Sequence, residues 1–508
     1  MELAEKKVPK LKVVQPIKLR NYQKEHYQKI ISILQNEIGY LDYSPTGSGK
    51  THVTLAIAAT FKMGVIIICP KTVSTNWRKC AKRYGIHVYC VMTYQTLRGN
   101  KTGVNHDLLR RDGNVFYATD VLEKCARHGV LIVFDECHAL KNENSQLYSA
   151  HALVKEAKRL SRMGYNIRIS ALSATPGDKK ENIASLLKIL GVIISDKLYK
   201  YNRTNKIYEM VGLREVVDKA NRYDRNSCFH ACARPLNKTT VKFICHDIYT
   251  RILKRNLTSG MPEPPNLEKK DAKNLFAIMP KEDVEQIRNA AMLFKSATNY
   301  RHEIGEVNYQ GINWGDLIKS RREIDSGKVR TMVRLAKNDL DSDPNCQVIL
   351  YLNYTRDIHR AYDLLLEYNP MILNGEVTKQ SDRDDIIEKF QSDDKYRLLI
   401  SHPKVGGMSI DLHDLHGNRP RITYLLPSYS FIDLYQATGR THREGGKSVS
   451  KIRFIYSKDF PHESGILDSM ARKSKNIRDI MNSKQESIVL PGEYDDEIEE
   501  DKIDEINA

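Results

Sequence analysis

The chain has 508 residues, enough for two or three domains with cores of their own, and its 41% apolar and 28% charged residues are those of a globular protein. The net charge of +17 is uneven: from Glu493 the tail EYDDEIEEDKIDEINA sets nine acidic residues against one lysine, which leaves +25 on the residues before it. That excess points to a polyanionic partner, because cations that neutralise phosphates release condensed counterions. No run is long and apolar enough to span a bilayer, so no membrane partner is expected.

The start, MELAEKKVPKLKVV, lacks a signal-peptide core, and an intracellular setting is expected, cytoplasmic or nuclear, with a viral origin allowed. There the nine cysteines read as free thiols. Cys228, His230 and Cys232, with Cys245 and His246, come nearest to a metal pattern, but C-x-H-x-C matches no common zinc template.

In chain order, the first apolar run is Tyr40–Tyr43, and SPTGSGKT follows it at Ser44–Thr51 before a helix-like stretch. That strand–loop–helix context is the one a phosphate-binding loop requires. Gly47 and Gly49 free the backbone amides of Thr46, Ser48 and their neighbours to turn toward phosphates. Lys50 is placed to reach the β- and γ-phosphates of ATP, and Thr51 to offer its hydroxyl to Mg²⁺. Val65–Cys69, Val130–Phe134 and Ile167–Leu172 continue the series of buried strands, the pattern of a parallel sheet covered by helices. The strand VLIVF delivers Asp135 and Glu136 at its carboxyl end, the first to hold the metal, the second to orient and deprotonate water.

From Ser195 to Asp325 the alternation fails, and the breaker MPEPPN occupies Met261–Asn266. A helix is expected over Lys281–Lys295, with Val284, Ile287, Ala291 and Phe294 as its buried stripe. Strands resume at Val348–Leu352, Leu398–Ile400, Ile422–Leu425 and Ile452–Tyr456. In QATGRTHREG, Arg440 and Arg443 are three apart and would share a helix face, with Gln436 one turn earlier. Guanidinium groups aimed at a transferring phosphoryl group accelerate hydrolysis by ~10³–10⁵.

These elements, together with SATP at Ser173–Pro176, resemble a superfamily-two DExH-type helicase. LRNYQ at Leu19–Gln23, CPKTVSTNW at Cys69–Trp77, DECHALKNENS from Asp135, SGK at Ser326–Lys328, LNGEVTKQSDR at Leu373–Arg383 and VGGMSIDL at Val405–Leu412 look closest to the Swi/Snf-type and strawberry-notch-like branch. The resemblance implies an α/β fold of two tandem RecA-like lobes, over 1–194 and 326–480. A mostly helical insertion at 195–325 and an acidic, disordered tail at 481–508 complete the expected division. It implies an adenine contact from Gln23 and ATP bound between the lobes. It also implies nucleic-acid contacts from Lys71, Thr72, Trp77, Tyr94 and Thr96 in lobe one, and from Asn353, Thr355, His402, Lys404 and Ser409 in lobe two.

The expected function is ATP-driven unwinding of, or movement along, RNA or DNA by a monomer with little sequence preference, with transcription or replication proteins as further partners. A nucleotide-gated clamp is the alternative, but it has no need of the hydrolytic set Lys50, Asp135, Glu136, Arg440 and Arg443. A metabolic phosphate-loop kinase or GTPase has no need of the distant Q-x-x-G-R-x-x-R element.

Overall fold

The computed structural model describes residues 16–100, 103–226, 236–264, 270–298, 313–406, 410–428, 430–457, 464–481 and 498–500. The chain divides into two compact units, Met1–Pro264 with Lys475–Glu486, and Pro265–Ser474 with Ser487–Ala508.

Unit 1 carries strands β1 (Gly39–Asp42), β2 (Gly64–Ile68), β3 (Val88–Met92), β4 (Leu109–Asp112), β5 (Val115–Ala118), β6 (Val130–Asp135), β7 (Ile167–Leu172), β8 (Tyr199–Asn202), β9 (Ile207–Met210) and β10 (Thr258–Ser259). Six of them form one parallel sheet in the order β10-β1-β7-β6-β2-β3; β4–β5 and β8–β9 are separate hairpins. The runs GVIII and VLIVFD are buried at every position, which is why they read as continuous rather than alternating apolar segments. Helix Asn21–Asn36 buries Gln23, His26, Ile30, Ile33 and Leu34, a stripe at helical spacing, and its apolar members pack with Tyr40, Val53 and Ile57.

Unit 2 contains β11 (Lys270–Ala277), β12 (Gln347–Tyr351), β13 (Met371–Leu373), β14 (Leu398–Ser401), β15 (Arg421–Leu425), β16 (Ser450–Ser457) and β17 (Ile498–Glu500). All are parallel, in the order β13-β14-β12-β15-β16-β11-β17. The expected pair of RecA-like α/β lobes is therefore present.

Three expectations about the division are corrected. The segment 195–325 is not a separate insertion. Its first part adds the helix Lys238–Ile248 and β10 to unit 1, and its second part supplies β11 to unit 2, the two meeting in the MPEPPN segment. Helix Lys281–Thr298 does form, with Ile287 and Ala291 buried in the core of unit 2 and Val284 packed against it. The sequence pattern puts lobe two at 326–480, but the fold returns the chain to unit 1 at Lys475. The acidic tail is not without structure throughout, since Ile498–Glu500 extends the second sheet beside Asn274–Phe276.

The centre of unit 2 holds a buried cation, Arg421 on β15. Its Nε donates to Leu412 O at 2.7 Å, and its two terminal nitrogens donate to Arg419 O at 2.8 Å, Gln391 Oε1 at 2.8 Å, His413 O at 3.3 Å and Gln347 Oε1. Gln391 Nε2 donates in turn to Asp411 O at 2.7 Å. Burial pushes the guanidinium down to about 10, so it keeps its charge at neutral pH. Arg421→Met fills similar volume but leaves several buried acceptors unmet, a loss on the order of 3 kcal/mol. Urea unfolding followed by circular dichroism should show a clearly lowered midpoint; an unchanged midpoint would mean the network contributes nothing to unit 2.

Candidate nucleotide site

The phosphate loop leaves β1 at Asp42, which is buried with its carboxylate fully engaged. Asp42 Oδ1 accepts from Ser44 N at 2.9 Å and from the Ser44 hydroxyl, and Oδ2 lies 3.1 Å from His26 Nε2. His26 Nδ1 lies 2.8 Å from Ser259 Oγ on β10, and Met261 N donates to Ser44 Oγ at 2.8 Å. Burial alone would raise the Asp42 carboxyl; His26, Lys50 and Ser44 together outweigh it and hold the group below its ordinary value.

Gly47 and Gly49 have φ of 81° and 91°, the left-handed region expected of a turning phosphate loop. A Cβ on Gly49 would also fall 2.5 Å from Gln23 Nε2. The Gln23 amide is docked on the loop itself: Nε2 donates to Ser48 O at 2.9 Å and Oε1 accepts from Arg20 N at 2.9 Å. Tyr22 OH donates to the same Ser48 carbonyl at 3.3 Å. Ser48 is buried, Thr46 and Thr51 are half-buried, and Lys50 opens the following helix with its Nζ donating to Ser44 O at 2.9 Å and Pro45 O at 3.0 Å.

The acid box ends β6. Asp135 Oδ2 accepts from Trp77 Nε1 at 2.7 Å, its Oδ1 accepts from Glu136 N at 3.1 Å, and its carbonyl accepts from Tyr94 OH at 2.7 Å. Burial, then the adjacent Glu136 carboxylate, pushes the Asp135 carboxyl up, while Trp77 and Lys50 oppose that rise. Glu136 adopts φ of 53°, a strained conformation for a non-glycine residue and one that accumulates at functional sites. His138 Nδ1 lies 3.2 Å from Glu136 Oε2 and 3.3 Å from Ser173 Oγ. Ser173 Oγ accepts from Thr175 N at 3.1 Å, and Ser173 N donates to Asp42 O at 3.0 Å. The phosphate loop, the acid box and the SATP segment are thus joined through side chains and backbone.

Two expected nucleic-acid contacts are corrected. Trp77 is wholly buried and Tyr94 nearly so, and both spend their polar atoms on Asp135. A Trp or Tyr with one polar atom can look like a stacking residue in sequence, but here the partner is Asp135, its carboxylate for Trp77 and its main-chain carbonyl for Tyr94. Lys71 and Thr96 are exposed, and Thr72 is half-buried.

In unit 2, Gln436 and Arg440 are buried on helix Phe431–Thr441. That helix ends before Arg443, so the two arginines do not share a helix face as expected; His442 turns extended ahead of a bend at Gly445, whose φ is 93°. They meet instead on one short segment: Arg440 Nη1 donates to Ile410 O at 3.4 Å, Leu412 N donates to Arg440 O at 3.0 Å, and Arg443 pairs with Asp411. This is the segment whose carbonyls Arg421 and Gln391 bind. Asn353 Nδ2 donates to Asp325 Oδ2 at 2.9 Å. Thr355 and Lys404 are exposed, and His402 is half-buried. Ser409, like Cys228, His230 and Cys232, lies outside the described residues, whereas Cys245 and His246 are buried on helix Lys238–Ile248.

Residues 21–183 match the family model described as DEAD/DEAH box helicase, and residues 327–445 match the helicase conserved C-terminal domain. The chain belongs to the superfamily-two helicases. It is an ATP-hydrolysing enzyme, a helicase or translocase acting on nucleic acid. A mimivirus (Acanthamoeba polyphaga mimivirus) protein described as an ATP-dependent RNA helicase is 28% identical over 91% of this chain and 83% of its own length. A rice (Oryza sativa subsp. japonica) protein described as a chromatin-remodelling complex ATPase chain is 22% identical over 90% of this chain and 40% of its own. The ATP-dependent helicase fft1 of Schizosaccharomyces pombe is 22% identical over 90% of this chain and 50% of its own. The helicase therefore spans only about half of these last two relatives. Among its described residues, no helix is long and apolar enough to cross a membrane.

Sequence reading missed His26, Asp42, Ser259 and Arg421, which act through neighbours brought close by folding; only His26, one turn after Gln23, carried a local hint. The Trp77 bond makes a separable expectation. Trp77→Phe keeps the ring in the core and removes a charge-assisted bond of about 1.5–3 kcal/mol. ATP turnover should fall at least several-fold while nucleic-acid affinity without nucleotide stays at the wild-type value. A loss of affinity with unchanged turnover would restore Trp77 as a nucleic-acid contact.

Proposed function

We propose that the phosphate loop of unit 1 holds ATP, with the Thr46–Gly49 amides and Lys50 on its phosphates and Glu136 as the base that orients and deprotonates the attacking water. The single observation that carries this reading is the clamped Asp135 carboxylate, buried and fixed by Trp77 and the Glu136 amide at the end of β6. The residues fit a divalent cation: a carboxylate raised by burial and then by its acidic neighbour, together with the Thr51 hydroxyl, offers hard oxygen ligands whose charge a cation would balance. Bound Mg²⁺ would neutralise phosphate charge, and Asp135 and Thr51 would hold it. Gln23 acts by fixing the loop, and its engaged amide leaves an adenine contact as a secondary role. Arg440 and Arg443 stabilise charge on the transferring phosphoryl group, with Gln436 beside them; leaving Ile410 and Asp411 for the phosphates is part of that action.

Nucleic acid is bound through its backbone with little sequence preference, Lys71 and Thr72 serving in unit 1 and Thr355, Lys404 and Ser409 in unit 2. Steady-state ATPase with single- and double-stranded RNA and DNA tests the whole assignment. Lys50→Ala should abolish turnover. Glu136→Gln should keep ATP binding and stop hydrolysis, since an amide is not a useful base. Arg440→Ala and Arg443→Ala should cut stimulated turnover by about 10³ or more with much smaller effects on ATP affinity. Near-normal turnover in folded Glu136→Gln protein would remove the acid box from the chemistry.

A further inference from the structure

Unit 1 has a second concave basic site, remote from the phosphate loop. Helix Asn21–Asn36 docks on that loop through Gln23, and thirteen residues later, about 20 Å at 1.5 Å per residue, Asn36 lines a cavity of about 490 Å³. The loop lies where β1 finishes; the cavity lies where the strands begin, with Arg255 and Asn256 on its wall just ahead of β10.

Four cations, Lys29, Lys219, Arg222 and Arg255, line the cavity, and Glu37 is its one carboxylate. Glu37 is spent: both its oxygens accept from the buried Lys219 ammonium, and the Tyr223 hydroxyl donates to it as well. Lys29, Arg222 and Arg255 are exposed at the rim, and none of the three side chains has an ion pair or hydrogen bond to a described residue. Nearby Lys158 is pushed down in pKa first by burial and then by the charges of Lys219, Arg162 and Arg222, a sign of like charges crowded around one recess.

An ordinary solvated face spreads its charges or pairs them. Here a concave wall gathers three cations without an ion pair among the described residues, which focuses the field into the recess. Two are arginines, whose planar forks match phosphate oxygens in pairs. A single carboxylate ligand would leave most of that charge unbalanced; consecutive phosphates would not.

We propose that this cavity is a second phosphate site, separate from the phosphate loop, that takes consecutive phosphates of a nucleic-acid backbone or of a free polyphosphate. It stands or falls independently of the roles given to the nucleotide site.

The test compares Arg222→Gln/Arg255→Gln protein with wild type and with Arg127→Gln/Arg159→Gln, which removes the same charge from exposed positions elsewhere on unit 1. The first probe is a fluorescein-labelled 30-base-pair DNA without nucleotide, its binding measured by anisotropy across a salt series. The second is sodium hexametaphosphate titrated calorimetrically into Lys50→Ala protein with and without the cavity substitutions, so that the phosphate loop contributes little. If the backbone seats here, the slope of log affinity against log salt becomes shallower by about 2 in the cavity variant alone, at about 0.9 per lost phosphate contact. If a free polyphosphate is the ligand, the DNA slope holds and hexametaphosphate binding weakens at least about tenfold. Circular dichroism melting of each variant identifies any loss that comes from unfolding. Folded cavity variants that match the charge control on both probes overturn the proposal.

Discussion

The nucleotide site depends on the register of three parallel strands. Pairing of β1 with β7 sets Asp42 opposite Leu172, and pairing of β6 with β7 sets Asp135 opposite the same residue. One step further, Ser173 N reaches Asp42 O, and its hydroxyl lies beside His138. A one-residue slip in any of these pairings would reverse the facing of every following side chain. The dense burial of VLIVFD and IRISAL makes such a slip costly, because each buried side chain would lose the neighbours it packs against. The chemistry is thus placed by the same apolar packing that holds the sheet together.

Buried polar groups then refine what the register sets. Asp42, His26, Ser44 and Ser259 form one closed set behind the phosphate loop, and Trp77 and Tyr94 form another around Asp135. Such groups cost desolvation and return it only when each partner is present, so they fix geometry more than they add stability. In unit 2 the same logic applies to Arg421, which binds the carbonyls of the segment that anchors Arg440 and Arg443. The candidate residues of each unit therefore rest on a polar core of their own.

The strands, the phosphate loop and the acid box were legible because their signals are local. Val130–Phe134 is an unbroken apolar run, and Gly47 and Gly49 are demanded by their own backbone angles. What was not legible depends on partners distant in sequence. Trp77 looked like a nucleic-acid contact because nothing near it reveals the Asp135 carboxylate 58 residues away. β10 has two residues and β11 reads KDAKNLFA, so neither shows an apolar run, and both owe their strand form to the sheets they join. The same tertiary override put the division of the middle region in the MPEPPN segment rather than at its two ends. Arg443 lies off the helix of Arg440 because the chain is already extended at His442, a feature that spacing alone does not encode.

If the three strand ends work as one unit, the His138–Ser173 contact is the joint that carries the acid box to the SATP segment. The most direct measurement is a double-mutant cycle on nucleic-acid-stimulated ATP turnover with His138→Ala, Ser173→Ala and both together. Either substitution should lower stimulation, and Ser173→Ala should cost under about twofold more once His138 is gone. Losses that multiply, each substitution acting in full in the presence of the other, would show that the acid box and the SATP segment work separately.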